Sequence, residues 1–260
     1  MKQGYRRGIV HTNIQLATDV YEMKLMPHGD NNRDTSLRIE DRLGFQGNPG
    51  QFYMLRGWQL DPLLARPISI CNISNGMVTF LYEVVGKGTR MMSELKAGDT
   101  LELLGPLGTG FDLELGGRLA LISGGAGMAP LIYLKNRLEN DMDFYCGFQS
   151  EPYYIDEIEK GVDNIYITTE DGSAGHRGFV TELFTPERYD TVITCGPTPM
   201  MKEIVKICGK HDIPVYMSME SHMACGIGTC LGCTVETTSG ILRVCREGPV
   251  QLGKEVVFDD

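Results

Sequence analysis

Residues 121–131 read LISGGAGMAPL, and this stretch decides the fold. The apolar run over 119–122 has the length of a buried strand, and residues 129–138 return to helical spacing. Between them Gly124, Gly125 and Gly127 let a backbone approach a diphosphate, whose charge the following helix N-terminus favours. Pro130 suits the first turn of that helix, where a missing N–H costs little. A strand, a glycine turn and a helix in succession form the unit of an open parallel sheet. The order Gly-x-Gly-x-x-Pro departs from the usual dinucleotide fingerprint, which ends in glycine or alanine, so the ordinary dehydrogenase reading is not assigned.

Downstream, residues 144–146, 165–168, 191–194 and 214–219 are further short apolar strands. Thr198-Pro199 reads as an N-cap followed by a first helical proline, opening a helix that runs to about Gly209. Cys195, Gly196 and Pro197 fall between a strand and that helix, at the carboxyl edge where ligands sit in such sheets. Cys195 reads two ways, as a group beside a nicotinamide or as a small buried residue at a strand end. Glu151, just past the strand at 144–146, is placed to meet an adenosine ribose and to disfavour a 2′-phosphate, which favours NAD over NADP.

Upstream the rhythm is different. Residues 20–26, 52–55, 68–73, 77–85 and 100–104 are short alternating strands, with an Asn-Gly hairpin at Ser74-Asn75-Gly76 and an expected stop at Gly105-Pro106. Such spacing predicts a small antiparallel β-barrel. Arg66, Pro67, Ile68 and Ser69 begin one of its strands, where the guanidinium suits a diphosphate and the hydroxyl a flavin edge. Gly88 and Thr89 lie in Gly86-Lys87-Gly88-Thr89, before a helical run over 90–95, and offer a second phosphate contact. The polar residues 28–33 read as a solvated loop.

After residue 220 apolar periodicity fades, and a tail of about forty residues needs a staple. Cys225, Cys230, Cys233 and Cys245 supply one, spaced C-x4-C-x2-C-x11-C. The first three reproduce the plant-type spacing for a [2Fe–2S] centre, and Gly226, Gly228 and Gly232 permit tight turns with free N–H groups aimed at the inorganic sulfurs. A structural zinc is the alternative, since Cys230 and Cys233 suit it, although zinc ribbons present two such pairs. A Rieske centre would need a second histidine to match His222. No spacing links Cys71, Cys146 and Cys208, which read as core residues.

The composition agrees. A net charge of −10 and pI near 5.0 argue against binding a nucleic-acid backbone. No apolar run approaches the roughly 18 to 20 residues of a membrane span. The polar N-terminus lacks a signal-peptide core, so eight cysteines in a cytoplasmic setting point to a cofactor and not to disulfides.

Arg66-Pro-Ile-Ser69, Gly88-Thr89, the glycine turn ending at Pro130 and Cys195-Gly-Pro197 together resemble the ferredoxin–NADP reductase superfamily. The stretch 220–233, ESHMACGIGTCLGC, with Pro49-Gly-Gln-Phe52 and residues 61–69, resembles the electron-transfer subunits of class 1B dihydroorotate dehydrogenases. The resemblance implies a β-barrel FAD domain over 1–115, an α/β parallel-sheet NAD domain over 116–219 and a [2Fe–2S] cysteine-loop tail over 220–260. It implies FAD held by 66–69, by Leu81, Tyr82 and Glu83, and by Gly88 and Thr89, with the cluster on the four tail cysteines. It also implies a partner subunit carrying FMN, in a heterotetramer of two of each, that oxidises dihydroorotate to orotate in pyrimidine synthesis while this chain delivers the electrons to NAD⁺. Nicotinamide exchanges a hydride and a cluster takes one electron at a time, so FAD belongs between them. The polar insertion at 28–42 is longer than the family pattern and bears on the partner surface. A sulfide dehydrogenase or hydrogenase partner, or a redox-silent zinc-stapled binding module, are the rival readings.

Overall fold

The computed structural model describes residues 4–28 and 44–258, so nearly all of the 28–42 insertion lies outside the described residues. Six strands close an antiparallel barrel: β1 (Gly4–Ala17), β2 (Val20–Pro27), β3 (Phe52–Arg56), β4 (Arg66–Ser74), β5 (Met77–Glu83) and β6 (Thr100–Leu107), in the order β1-β2-β5-β4-β3-β6. The β4–β5 hairpin turns on Asn75 (φ 52°) and Gly76 (φ 76°), both in the left-handed region that a tight Asn-Gly turn demands. Helix α1 (Lys87–Ser93) follows β5, so Gly88 and Thr89 lie inside a helix that begins earlier than the expected 90–95.

Two barrel features differ from the sequence expectation. β1 is the longest strand, but its half-exposed faces carry no apolar alternation strong enough to announce it. β6 does not stop at Gly105-Pro106 but continues to Leu107. The register against β3 shifts between Phe52 and Met54, and Pro106 falls in that irregularity, where a missing N–H breaks no ladder bond.

The second layer comprises β7 (Leu119–Gly124), α2 (Met128–Lys135), β8 (Met142–Phe148), α3 (Ile155–Glu159), β9 (Asn164–Thr169), β10 (His176–Arg177), β11 (Thr191–Cys195), α4 (Thr198–Gly209) and β12 (Val215–Ser218). Its sheet runs β10-β9-β8-β7-β11-β12 with every pair parallel. The chain starts at β7, builds outward through β8 to β10, then returns to β11, so the strand order reverses between β7 and β11. That reversal opens a crevice at their carboxyl ends. Helix α4 begins at Thr198 itself, with Pro197 in the capping position and no side-chain cap, so the expected Thr198 N-cap is displaced by one residue.

The tail adds a hairpin, β13 (Thr234–Thr237) and β14 (Gly240–Arg243), and then β15 (Val250–Leu252), which pairs antiparallel with β12 as the seventh strand of the sheet. Barrel and sheet share a core, in which Val20, Cys71 and Leu81 pack with Leu131 and Phe144. Tyr133 Oη donates to Gly47 O at 2.9 Å and Tyr154 Oη to Glu22 at 2.6 Å across the same boundary. Cys71, Cys146 and Cys208 are buried and free. Among the described residues no helix is long and apolar enough to cross a membrane.

At the amino end of the sheet, Asp143 is 0% exposed and accepts bonds from Arg118 (2.8 Å), Asn164 (2.8 Å) and Tyr189 (2.6 Å). Burial pushes its carboxyl up, but the bonds from Tyr189, Asn164 and Arg118 outweigh it and hold it below the ordinary range. A depressed folded value gives stability above the unfolded pKa, lost as pH falls through the folded one. Asp143→Asn is therefore expected to cost about 3 kcal/mol in urea denaturation at neutral pH. The gap from wild type should narrow as pH falls below the ordinary carboxylate range and the folded carboxyl takes up its proton; a pH-independent gap would rule out the charge as its source.

Candidate functional site

The tail loop folds over the barrel. Gly226 (φ 71°) has no room for a side chain, since a Cβ there would come within 2.7 Å of Met54 Cγ and 3.0 Å of Leu107 Cδ1. Cys233, Val244 and Cys245 are buried in one cluster with Phe52, Met54 and Leu107. Gly228 (φ 81°) makes the second turn, and its carbonyl accepts Arg243 Nη1 at 3.0 Å. The third left-handed residue is Leu231 (φ 60°), not Gly232 as the sequence suggested. Arg243 pairs with Glu247 across one turn and holds that carboxyl down at about 2.

The four thiols are neighbours in pairs. Cys230 N–H donates to Cys225 Sγ at 3.5 Å and Gly232 N–H to Cys230 Sγ at 3.5 Å, while Cys233 hydrogen-bonds Cys245. Burial pushes the Cys225 thiol up, but bonds from Thr229 and from the backbone N–H groups of Cys230 and Ile227 bring it down to about 5. Burial and the adjoining Cys233 push Cys245 up to about 12. Among the described residues no three His, Cys, Asp or Glu side chains form a ready-made metal-ligand group. Two pairs, with backbone N–H groups aimed at sulfur, fit two thiolates on each of two irons. His222 is exposed beside the loop.

Across β3 lies the barrel candidate. Met54, whose side chain meets Gly226, is the register partner of Pro67, and Phe52 is the partner of Ser69. Arg66 stacks over Trp58 with Cζ 5.4 Å from the ring centroid, and Nη1 donates to Leu64 O at 2.6 Å. Gly88 completes this cradle: a Cβ there would fall 2.7 Å from Arg66 Nε and 2.8 Å from Trp58. The Thr89 hydroxyl is already engaged, accepting Val85 N–H at 3.0 Å and Gly86 N–H at 3.2 Å. Leu81 and Tyr82 are buried, with Tyr82 Oη donating to Asn13 Oδ1 at 3.0 Å, whereas Glu83 is exposed and turned towards the sheet.

The two turns at the crevice interlock through their glycines. A Cβ on Gly127 would stand 2.4 Å from Cys195 O, one on Gly124 2.6 Å from Pro197, and one on Gly196 2.8 Å from Gly124 N. Pro130 lies buried in the first turn of α2. Cys195 is buried, its thiol pushed up by burial and then by the charge of Glu220, with a hydrogen bond to Ser218. Glu151 is exposed just past β8. Neither Trp58 nor Tyr153 belongs to a motif that marks it along the chain. Trp58 is the sole tryptophan, eight residues before Arg66, which is its one signal; Tyr153, against Gly125, carries none.

The family described as the iron–sulfur cluster binding domain of dihydroorotate dehydrogenase B matches residues 220–257. The dihydroorotate dehydrogenase B (NAD⁺) electron-transfer subunit of Clostridium acetobutylicum is 45% identical, over 100% of both chains. The chain belongs to that family. The Clostridium perfringens member is 43% identical over 99% of this chain and 100% of its own. A solved NADH-dependent reduced ferredoxin–NADP oxidoreductase, studied for flavin-based electron bifurcation, superposes with a TM-score of 0.82 at 26% identity, covering 96% of this chain and 89% of that one. The FAD/NAD-binding domain of the Vibrio cholerae nitric oxide dioxygenase shares the fold, with a TM-score of 0.66 at 20% identity over 82% of this chain and 95% of that one. An electron-transfer subunit of this family works with a separate catalytic subunit. Membership sets aside the sulfide dehydrogenase, hydrogenase and zinc-module readings.

The Arg66 cradle generates a direct test. Gly88→Ala drives a methyl into the guanidinium and the indole, and is expected to weaken FAD retention about tenfold, some 1.4 kcal/mol. FAD release followed by fluorescence measures it, and unaltered retention would show that Arg66 does not hold the flavin.

Proposed function

We propose that this chain takes electrons from an FMN-bearing catalytic subunit oxidising dihydroorotate and passes them through [2Fe–2S] and FAD to NAD⁺, in pyrimidine biosynthesis. One observation carries the reading: a single strand, β3, separates the cluster loop at Gly226 from the flavin segment at Pro67. Adjacent strands lie only about 4.8 Å apart. Bound FAD supplies the conversion between one-electron and hydride transfer.

The chain's own residues bind and orient. Arg66, braced by Trp58, neutralises a flavin diphosphate, and Ser69 offers its hydroxyl to the flavin edge, with residues 81–83 and Gly88 contributing to the same flavin site. Thr89 acts through α1, whose first turn its hydroxyl closes. The glycines at 124, 125, 127 and 196 admit an NAD diphosphate, with Cys195 and Pro197 shaping the crevice and Glu151 favouring an unphosphorylated ribose. Cys225, Cys230, Cys233 and Cys245 would hold the cluster, which would supply one-electron transfer. Ile227 and Leu231, exposed beside the thiols, give an apolar rim on the side from which an electron donor must approach. We further propose functional units at 1–115, 116–219 and 220–260, a heterotetramer of two of each subunit, and a cytoplasmic setting that keeps the thiols reduced.

An anaerobic visible spectrum tests the core of this. Flavin bands with an iron–sulfur shoulder, bleached by NADH, are expected, and a colourless zinc protein would defeat the reading. Cys233→Ser should keep flavin reduction by NADH yet lose reduction of NAD⁺ by dihydroorotate in the reconstituted complex. Retention of that coupled activity would remove the cluster from the route.

A further inference from the structure

Glu83 ends β5 on the face of the barrel that meets the sheet, and its carboxylate lies on the glycine turn of the other layer. Its Oε1 accepts Ala126 N–H at 3.2 Å, and a Cβ on Gly125 would come within 2.9 Å of it. The turn thus already holds an anion, supplied by the chain itself, where its free N–H groups receive negative charge. Glu220 faces the same place, its carboxyl pushed up by burial and then by the charge of Glu83. A nucleotide phosphate cannot share that spot with an unmoved Glu83, because like charges at contact distance repel.

A second, independent feature marks where the carboxylate goes. Tyr153 packs edge-on against Phe148, with ring centroids 5.1 Å apart, and is only 8% exposed. Its hydroxyl is buried without a hydrogen-bond partner among the described residues, and it stands 3.8 Å from the same Cβ position on Gly125. Buried hydroxyls are almost always partnered, so an orphan beside a ligand turn implies a partner in another state. Burial, and then the charge of Glu83, push this phenol up, so it remains a neutral donor.

We propose that Glu83 is a displaceable anion, holding the glycine turn while the nucleotide is absent and passing to the Tyr153 hydroxyl when a dinucleotide diphosphate arrives. This rests on the reading of residues 124–127 as the NAD(H) diphosphate turn. Glu83 then sets nucleotide affinity from the flavin side of the boundary, and tethers barrel to sheet only in the unliganded state.

The test uses the FAD- and cluster-loaded chain with its catalytic partner, FAD content being checked in each variant. It is titrated with ADP-ribose, which carries the diphosphate without nicotinamide, and with adenosine, which lacks the diphosphate. Glu83→Gln keeps the shape and removes the charge, and should tighten ADP-ribose about threefold while leaving adenosine unchanged. Tyr153→Phe should weaken ADP-ribose about threefold in the wild-type background and have little effect beside Glu83→Gln, because the two act as one pair. Unchanged or weaker ADP-ribose binding in Glu83→Gln, or an equal Tyr153→Phe effect in both backgrounds, overturns the proposal. Failure of ADP-ribose to compete with NADH on the wild-type complex would instead overturn the reading of the turn.

Discussion

The contact of Gly226 with Met54 is the constraint on which the rest is arranged. Met54 pairs in register with Pro67 of β4, while its side chain presses on the cysteine loop at Gly226. Any residue but glycine at 226 would lift the loop, because a Cβ would stand 2.7 Å from Met54 Cγ. A short tail with little core of its own gains position by borrowing the apolar face of the barrel and, through β15, the edge of the sheet. Cysteine spacing sets which thiols the loop presents, and this docking sets where they lie against β3 and β4.

A second close approach governs the nucleotide crevice. The turns after β7 and β11 meet backbone to backbone, and Gly124, Gly127 and Gly196 each lack the atom that would hold them apart. The crevice sits where the strand order reverses, as ligand sites in open parallel sheets do. Glu83 crosses from the barrel into it, so barrel and sheet meet through a charged contact as well as through the shared apolar core.

Much of this was legible along the chain. The Asn75-Gly76 turn, the strand–glycine–helix unit and the four-cysteine spacing each encode local geometry in residue type alone, and the structure contains all three. Other elements were not legible. β1 pairs through its backbone on both sides and leaves many side chains in water, so hydrophobic alternation cannot reveal it. Pro106 looked like a stop because its tolerance depends on a register shift in the neighbouring strand. Leu231 takes the left-handed turn that Gly232 seemed made for.

By itself, then, the sequence determined the two layer types, the four-cysteine spacing and the glycines of both crevice turns, since spacing and missing side chains are local properties. Tertiary structure alone decided that β15 closes the sheet, that Trp58 braces Arg66, and that Glu83 and Tyr153 converge on Gly125. Those contacts join residues far apart in the chain, and only the packing of barrel against sheet brings them within bonding distance.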